Sequence, residues 1–239
     1  MTIERYIRNY GELISPEDQQ ILLDKTCAVL GAGGNGGYVI EFLSRLGIKK
    51  IIIFDGDNFE ISNLNRQIFC TEENIGCNKA IVAAKQVKKI NSDITVEAYD
   101  RYAALDKSDI QILSNVDVIF DCTDYGVNGS AVANMLSNIL FNSNNDIVVT
   151  YSANNKIGGF NSLHTKDSLQ MYMELQKNNR TAPVEKIGQP AYMCAITAAN
   201  DVAAVVKYFC KKKYDLTGEI FTYDLYHFSS YKEDEYGRI

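Results

Sequence analysis

A glycine-rich turn between an apolar stretch and an amphipathic one constrains the fold more than any other feature of this sequence. Thr26–Leu30 is typical of a short buried strand, and the glycine-rich segment 31–37 follows it at once. Tyr38–Leu46 then has the apolar spacing of a helix. A strand, a tight turn and a helix in this order predict the first unit of an α/β fold.

Three glycines of that turn, Gly31, Gly33 and Gly36, fill the pattern G-x-G-x-x-G. Glycines let the backbone turn tightly and approach a phosphate, and the N-terminus of the helix presents oriented N–H groups to it. The pattern therefore predicts a nucleotide-binding turn, with a tight turn that binds no ligand as the alternative. It does not distinguish ATP from a nicotinamide dinucleotide.

Strand-like and helix-like segments continue to alternate as far as about residue 165. We expect strands at 26–30, 50–54, 94–98, 116–120 and 147–152, and helices at 16–24, 38–46, 77–90, 106–114, 127–141 and 191–210. This alternation predicts a Rossmann-like, doubly wound α/β fold, with a mainly parallel sheet and helices on both faces. Residues 218–228 predict one or two closing strands, which would form an antiparallel C-terminal extension.

Two segments lie outside this alternation. An N-terminal arm and helix occupy residues 1–25, and the polar segment 165–186 shows no periodic pattern, so we expect a mobile crossing loop there. The chain has no internal repeat and no low-complexity linker. We therefore expect a single domain over residues 1–239.

Composition excludes several classes of protein. The formal charge of −6 argues against a nonspecific nucleic-acid binder, and no apolar run reaches the ~18 residues that a membrane span requires. The N-terminus lacks the basic-then-apolar pattern of a signal peptide. Six scattered cysteines without a C-x-x-C pair argue against both a disulfide framework and a zinc site. We expect free thiols in a cytoplasmic protein.

The loop after the second strand carries an unusual set of polar side chains. Asp55 and Asp57 follow the strand directly, and Asn63, Arg66 and Gln67 come a few residues later. An acidic residue about 20 positions after a glycine turn usually binds ribose hydroxyls, and Asp55 has that position. The loop therefore predicts a ligand that needs carboxylates, amides and a guanidinium together.

Two further groups favour a nucleoside triphosphate. Lys79 opens the next helix and adds a second cation to Arg66; such cations have no obvious use in hydride transfer but suit the charge of transferring phosphates. Asp121 and Asp124 follow the strand 116–120, at the sheet edge where doubly wound folds bind ligands. A carboxylate there can hold Mg²⁺. The alternative for Asp124 is the N-cap of the following helix, and both roles are compatible.

These motifs together resemble the ThiF/MoeB/HesA family of ubiquitin-activating-enzyme-like adenylyltransferases. The matching stretches, in order, are RYIRN (5–9), GAGGNG (31–36), DGDNFEISNLNRQ (55–67), GCNKA (76–80) and DCTD (121–124), with a weaker match over 187–208. The resemblance extends to about residue 225, and its most specific part is the string from Asp55 to Gln67.

The resemblance implies roles for individual residues. Asp55 would bind the ribose hydroxyls, Asp124 would coordinate Mg²⁺, and Arg8 would reach the phosphates of a neighbouring subunit in a homodimer. The nucleotide-binding residues that it implies are Gly31, Ala32, Gly33, Gly34, Gly36, Asp55, Asp57, Asn63, Arg66, Gln67 and Lys79, and the catalytic ones are Asp124, Arg66, Lys79 and Arg8.

The implied reaction is ATP-dependent adenylation of the C-terminal glycine carboxylate of a small ubiquitin-like sulfur-carrier protein that ends in Gly-Gly, within thiamin, molybdopterin or a related biosynthesis. Within the same superfamily, a peptide-modifying adenylyltransferase or a tRNA threonylcarbamoyladenosine dehydratase is the alternative; an NAD-dependent dehydrogenase is a remote one. An inactive scaffold or interaction partner also stays open.

The sequence departs from the family pattern at its cysteines. The two C-x-x-C pairs that bind zinc in many members are absent, which implies a zinc-free branch. Residues 165–186 contain no cysteine for covalent transfer, and we expect Cys194 and Cys122 to be packing residues. After the fifth strand, Gly158 and Gly159 could admit the extended tail of a partner; a β-turn between strands is the alternative.

Overall fold

The computed structural model describes residues 3–104, 106–123, 130–143, 145–178, 188–212 and 216–233. Its strands are β1 (Thr26–Leu30), β2 (Lys50–Phe54), β3 (Thr95–Tyr99), β4 (Val118–Asp121), β5 (Val148–Asn154), β6 (Gly158–His164), β7 (Ile220–Asp224) and β8 (Ser229–Glu233). Its α-helices are α1 (Pro16–Leu23), α2 (Gly34–Leu46), α3 (Lys79–Ile90), α4 (Lys107–Leu113), α5 (Ser130–Asn142), α6 (Leu169–Asn178) and α7 (Ala191–Phe209). None of the described helices is both long and apolar enough to cross a membrane.

The eight strands form one mixed sheet in the order β3-β2-β1-β4-β5-β6-β7-β8. The first five in this order pair in parallel, and β6, β7 and β8 add antiparallel pairs at one edge. The chain reverses direction across the sheet between β1 and β4. The predicted doubly wound sheet and its antiparallel C-terminal extension are therefore confirmed.

Helices cover both faces of the sheet. One apolar cluster joins the strands to α1, α2, α3 and α7 through side chains such as Leu22, Val39 and Val205. The other joins them to α4, α5 and α6 through Leu113, Leu136 and Tyr172. Burial on both faces explains why the central parallel strands are continuous apolar runs rather than alternating ones.

Local sequence explains where several helices begin and end. The Ser15 hydroxyl accepts the N–H of Asp18, and the Asp18 carboxylate accepts the N–H of Ser15, a capping box that starts α1. Asn78 caps α3 in the same way through the N–H of Ile81. Gly47 ends α2 in the left-handed region at a φ of 82°.

The structure differs from the sequence prediction in segment 165–186. A short 3-10 helix (Lys166–Ser168) leads into α6, where an irregular crossing loop was expected. Tyr172 and Gln176 of α6 are buried and hydrogen bond to Asp121, so a sequence that reads as polar carries a buried polar face. Residues 179–186 of the segment lie outside the described residues.

The segment 152–160 forms the end of β5, a tight turn and the start of β6. Asn155 Oδ1 accepts the N–H groups of Ile157 and Gly158, so the segment forms the turn between strands that was the alternative to a tail-binding opening. A Cβ on Gly158 would lie 2.5 Å from the carbonyl oxygen of Tyr223, and one on Gly159 would lie 2.6 Å from that of Ala153. Neighbouring strands thus occupy the space that these glycines leave, which favours packing over admission of a partner's tail.

Candidate active site

The glycine turn connects β1 to α2 through positions that only glycine fits. Gly31 has a φ of 91°, and a Cβ there would lie 2.7 Å from the carbonyl oxygen of Cys122. A Cβ on Gly36 would lie 1.8 Å from the carbonyl oxygen of Gly31. The glycines therefore bring α2 against β1 and the turn against the residue that follows β4.

The N-terminus of α2 is open to an anion. Gly33 is its N-cap residue, and a glycine provides no side chain to accept the N–H groups of the first turn. The helix begins at Gly34, four residues earlier than expected, so Gly34 and Gly36 lie in its first turn. Backbone N–H groups and the positive end of a 13-residue helix dipole meet here.

Asp55 joins the end of β2 to this turn. Its Oδ2 accepts the N–H of Ala32 at 2.7 Å, and its Oδ1 accepts the N–H of Asp57 at 2.8 Å. Burial raises the pKa of Asp55, and the two backbone hydrogen bonds act against that rise. The predicted ribose-binding carboxylate is therefore fixed in orientation at the turn, with each oxygen keeping a further lone pair.

Lys79 and Asp57 form an ion pair beside Asp55. Lys79 Nζ lies 3.0 Å from Asp57 Oδ2, and only 7% of Lys79 is exposed. Tyr102, which follows β3, donates its hydroxyl to Asp57 Oδ1. Partial burial acts to raise the pKa of Asp57, but the hydrogen bonds from Tyr102 and Lys79 outweigh it and the pKa is lowered. Asp57 thus contacts Lys79 directly, which makes it an orienting group for that cation.

Gln67 belongs to the loop after β2, residues 55–67, which is called the nucleotide loop below. Its side chain lies against the glycine turn. Its Nε2 is 3.6 Å from the position of a Cβ on Gly33, and its buried Oε1 has no hydrogen-bond partner among the described residues. Asn63, also buried, holds the loop in shape because its carbonyl oxygen accepts the N–H of Gln67 and its side chain accepts the N–H of Glu60. The amide nitrogen is therefore the end of the Gln67 side chain that lies against the glycine turn.

Arg66 approaches the turn from the same loop. Its Nε donates to Gln189 Oε1 at 3.0 Å, and its Nη1 donates to the Ser62 carbonyl and to Asn65 Oδ1, each at 3.0 Å. The same Gln189 oxygen is 3.7 Å from the position of a Cβ on Gly34, at the start of α2. The structure therefore brings both predicted cations, Arg66 and Lys79, to the surroundings of the glycine turn.

Sequence reasoning missed the residues that hold these groups in place. Gln189 donates its Nε2 to Asn154 Oδ1 at 2.9 Å, and Asn154 Nδ2 donates to Asn35 Oδ1 and Thr197 Oγ1. Tyr102 was missed as well. No local motif marks these side chains, because each contact joins segments that are far apart in the sequence.

Asp121 lies within the described residues, whereas Asp124 does not. Asp121 is buried, and its two oxygens accept hydrogen bonds from Thr123, Tyr172 and Gln176. Burial raises the pKa of Asp121, and these hydrogen bonds act against it. A carboxylate so engaged is a structural anchor rather than a magnesium ligand. Asp124, the predicted Mg²⁺ ligand, lies outside the described residues, although Cys122 places the chain beside Gly31 two residues before it.

Arg8 lies away from the glycine turn of its own chain. It belongs to a 3-10 helix (Ile3–Asn9) whose Tyr6 packs on Gly47 at the far end of α2 and accepts a hydrogen bond from Asn91 at the end of α3. Within the described residues, Arg8 is exposed and makes no hydrogen bond or ion pair. An arm held at this end of α2 does not bring Arg8 to the phosphate site of the same subunit.

Comparison with known proteins identifies the family. The ThiF family matches residues 6–236. This chain belongs to the ThiF family. Among curated relatives, the SAMP-activating enzyme E1 of Haloferax volcanii is 35% identical over 124 residues, which are 51% of this chain and 45% of that protein. The probable molybdopterin-synthase adenylyltransferase of Porphyra purpurea is 37% identical over 128 residues, 52% of this chain and 33% of that protein.

Solved ThiF-like folds extend the likeness over the whole chain. The crystal structure of SeMet PaaA has a TM-score of 0.79 at 22% identity and covers 97% of this chain and 73% of that one. E. coli MccB with ATP has a TM-score of 0.76 at 23% identity and covers 99% of this chain and 73% of that one. At these identities the likeness shows the fold alone. The matched segment spans less than half the length of the curated relatives named above.

The cysteines of this ThiF-family chain that lie near the site are packing residues. Cys194 is fully buried on α7, and its Sγ would be 2.8 Å from a Cβ on Gly34. Cys122 Cβ would be 3.3 Å from one on Gly36. The Cys194 thiol therefore fills the space that Gly34 leaves, and the Cβ of Cys122 packs against Gly36.

A cleft of about 420 Å³ lies elsewhere in the molecule. It is lined by Thr26 and Lys50, the first residues of β1 and β2, and by residues of α4. These are the amino ends of the strands, opposite the edge that carries Asp55 and the glycine turn. The cleft is therefore separate from the nucleotide site.

Proposed function

We propose that this chain is an ATP-dependent adenylyltransferase that activates the C-terminal glycine carboxylate of a small ubiquitin-like sulfur-carrier protein. One observation carries the proposal: the open N-terminus of α2, the carboxylate of Asp55 and the cations Arg66 and Lys79 meet at one edge of the sheet. A dinucleotide-binding site would use the first two of these features. The two cations suit a triphosphate instead.

Each group has a part in binding ATP. The N–H groups at the start of α2 bind phosphate oxygens, and Asp55 accepts hydrogen bonds from the ribose hydroxyls. Arg66 and Lys79 bind the β- and γ-phosphates, where their charge favours departure of pyrophosphate. Gln67 Nε2, which lies beside Gly33 of the turn, donates a hydrogen bond to the nucleotide.

The reaction is attack of the carrier's terminal carboxylate on the α-phosphorus of ATP. A bond forms between a carboxylate oxygen and phosphorus, the bond from phosphorus to the bridging oxygen of the β-phosphate breaks, and pyrophosphate leaves with the electron pair. A C-terminal carboxylate has a pKa of about 3.5 and is ionised at neutral pH, so no general base is needed. Catalysis consists of positioning and charge neutralisation.

Asp124 and Arg8 complete the proposed site. The residues around Asp121 fit a magnesium–nucleotide site only if Asp124 supplies the free carboxylate, because the oxygens of Asp121 are already engaged. Mg²⁺ bound there would neutralise phosphate charge. Arg8 reaches the phosphates of the second subunit in a homodimer, which accounts for its place away from the turn of its own chain.

The relatives support this class of substrate. They include the sulfur carrier protein adenylyltransferase of Thermus thermophilus, 35% identical over 124 residues, and adenylyltransferase and sulfurtransferase UBA4 of Candida albicans, 35% identical over 129 residues. A carrier with a Gly-Gly end is the substrate that we propose, in a sulfur-transfer biosynthesis. Activation of a peptide or of tRNA is kept as an outcome of the test.

Exchange of labelled pyrophosphate into ATP tests the proposal. We expect exchange that requires a ubiquitin-like protein with a C-terminal Gly-Gly, that needs Mg²⁺, and that falls to background in Arg66→Ala and Asp124→Ala. The same protein with its last two glycines removed is the matched control. Exchange supported by tRNA or by a short peptide, but by no Gly-Gly protein, would refute the substrate assignment.

A further inference from the structure

Gln189 is the only described side chain that hydrogen bonds to Arg66 from outside the nucleotide loop. Its Oε1 accepts from Arg66 Nε at 3.0 Å, and its Nε2 donates to Asn154 Oδ1 at 2.9 Å. The two contacts use both ends of the amide. The nucleotide loop is thereby joined to the end of β5, across the first turn of α2.

The backbone around Gln189 holds this side chain in place. Gly188 has a φ of 66°, and a Cβ added there would lie 3.6 Å from the Cβ of Lys156. The segment therefore passes close to the turn between β5 and β6. Pro190 is the N-cap of α7, and a residue before proline is restricted to extended conformations. Pro190 therefore limits the backbone of Gln189 to extended conformations.

Asn154 is itself firmly held. Its Nδ2 donates to Asn35 Oδ1 at 2.7 Å and to Thr197 Oγ1 at 2.8 Å, and Thr197 in turn donates to the carbonyl of Met193 at 2.7 Å. Asn35 lies in the first turn of α2. The orientation of Gln189 is thus set by the same helix whose N-terminus would bind phosphate.

The contact leaves Arg66 able to bind an anion. Arg66 Nε donates to Gln189, and Arg66 Nη1 donates to oxygens of the nucleotide loop. Arg66 Nη2 makes no hydrogen bond among the described residues. A glutamine accepts a hydrogen bond without neutralising the charge of the guanidinium. A glutamate at the same position would form an ion pair with Arg66 and place a negative charge beside the phosphates.

We propose that Gln189 is a positioning residue that orients Arg66 toward the triphosphate while leaving its charge unneutralised. This inference rests on the proposed function of the site. It adds a residue that no motif of the nucleotide loop contains, on a segment that also contacts the turn between β5 and β6. A chain of hydrogen bonds runs from Arg66 through Gln189 and Asn154 to Asn35. Gln189 therefore acts on Arg66 through a hydrogen bond of fixed direction and not only through packing.

Binding of ATP and of AMP, measured by titration calorimetry with Mg²⁺, tests this role. Replacing Gln189 by leucine removes the hydrogen bond that orients Arg66, and we expect ATP to bind about 3- to 10-fold more weakly, an indirect effect of the size of one ordinary hydrogen bond. Gln189→Glu should weaken ATP binding further, by about 10- to 100-fold, the range for a charged partner. AMP binding should change little in both, because AMP lacks the phosphates that Arg66 binds.

Two controls make the result decisive. Gln20→Glu changes the same charge at an exposed position of α1 and should leave ATP binding unaltered. In an Arg66→Ala background, Gln189→Leu should lose its effect on ATP, whereas a residue that only packs would keep it. Gln189→Glu should keep only the part of its effect that comes from its charge beside the phosphates. Thermal melting of each variant reports whether the fold is retained.

The outcomes separate the two proposals. If Gln189→Glu and Gln189→Leu weaken ATP binding equally, or if the effect of Gln189→Leu persists without Arg66, the positioning role is refuted. If Arg66→Ala itself leaves ATP binding unchanged, the proposed function of the site fails instead. ATP binding that weakens from wild type to Gln189→Leu and further to Gln189→Glu, with the leucine effect present only with Arg66, supports both.

Discussion

The carboxylate of Asp55 accepts a hydrogen bond of 2.7 Å from the backbone N–H of Ala32. This bond ties the end of β2 to the glycine turn after β1, and a second bond from Asp57 continues the connection to Lys79. The glycine turn, Asp55, Asp57 and Lys79 are therefore a single hydrogen-bonded unit. A change that distorts one of them should displace the others.

Gly36→Ala should disrupt this unit. The added Cβ would lie 1.8 Å from the carbonyl oxygen of Gly31, so α2 must move away from β1. We expect a loss of unfolding free energy near the upper end of the ~1–3 kcal/mol that overpacking costs, together with loss of ATP binding. Gly11→Ala, where nothing lies within 4 Å of a Cβ, is the matched control. Equal stability of the two variants in urea unfolding would contradict the packing that we describe.

Asp57→Asn should destabilise the fold by leaving Lys79 with a nearly buried charge and no carboxylate. We expect a loss of about 1–2 kcal/mol at pH 7, less than for a fully buried pair because Asp57 is half exposed. Because the pKa of Asp57 is lowered in the fold, its contribution is present above its ordinary pKa and is lost as the pH falls below it.

The exposed pair of Asp24 and Lys49 is the control for that variant. Their charged groups are 3.8 Å apart with side chains 83% and 60% exposed, so Asp24→Asn should change stability by less than ~0.5 kcal/mol. Urea unfolding of both variants at pH 7 provides the comparison. Similar losses in the two would show that Asp57 does not hold Lys79.

Asp201→Asn should remove a pH dependence of stability. Burial raises the pKa of Asp201 to about 7, although Ser152 and Asn161 donate hydrogen bonds to it. A raised carboxyl pKa makes the fold most stable below about pH 4, with stability lost as the pH rises through 7. The asparagine variant should therefore be the more stable one at pH 8, by on the order of 2 kcal/mol.

The difference between wild type and Asp201→Asn is the quantity to measure, because His164 acts in the opposite sense. Burial lowers the pKa of His164 from 6.5 to about 4. The stability that the neutral His164 contributes is therefore lost as the pH falls from about 6.5 to about 4. Unfolding free energies from pH 4 to 8 should show a difference that grows with pH and levels off above 7. A difference independent of pH would mean that Asp201 has an ordinary pKa.

Arg8 should act across a dimer. Mixing Arg8→Ala subunits with Asp124→Ala subunits should restore part of the pyrophosphate exchange, because one of the two sites in each mixed dimer has both residues intact. Arg5→Ala is the control on the same arm, since Arg5 bonds to Asn91 within its own chain and should need no complementation. Absence of rescue in a demonstrated heterodimer would place Arg8 outside the partner's site.

The parts of the site that the sequence predicted are those that local chemistry determines. Asp55 reaches the glycine turn because a strand end and a βα turn always meet at the carboxyl edge of a parallel sheet. Gly36 is required by the contact of α2 with β1, which the G-x-G-x-x-G pattern encodes. The mainly parallel sheet and the approximate bounds of most helices follow from the alternation of strand-like and helix-like segments.

The parts that the sequence did not predict depend on contacts between distant segments. Gln189 meets Arg66 across 123 positions, and no periodicity marks such a pair. Helix α6 was missed because its buried residues, Tyr172 and Gln176, are polar and bond to Asp121 instead of following an apolar stripe. Gly159 was weighed as an opening for a partner, although its space is filled by Ala153 and Tyr223.

Titration of Arg66→Ala and Lys79→Met with MgATP and with AMP is the sharpest test of whether these two cations bind the triphosphate. We expect each variant to bind ATP at least ~10-fold more weakly than wild type, the effect of lost charged hydrogen bonds, while AMP binding changes much less. Lys85→Met, on the exposed face of the same helix as Lys79, should bind both nucleotides normally. Wild-type affinity for ATP in both Arg66→Ala and Lys79→Met would contradict the claim that these cations bind the triphosphate.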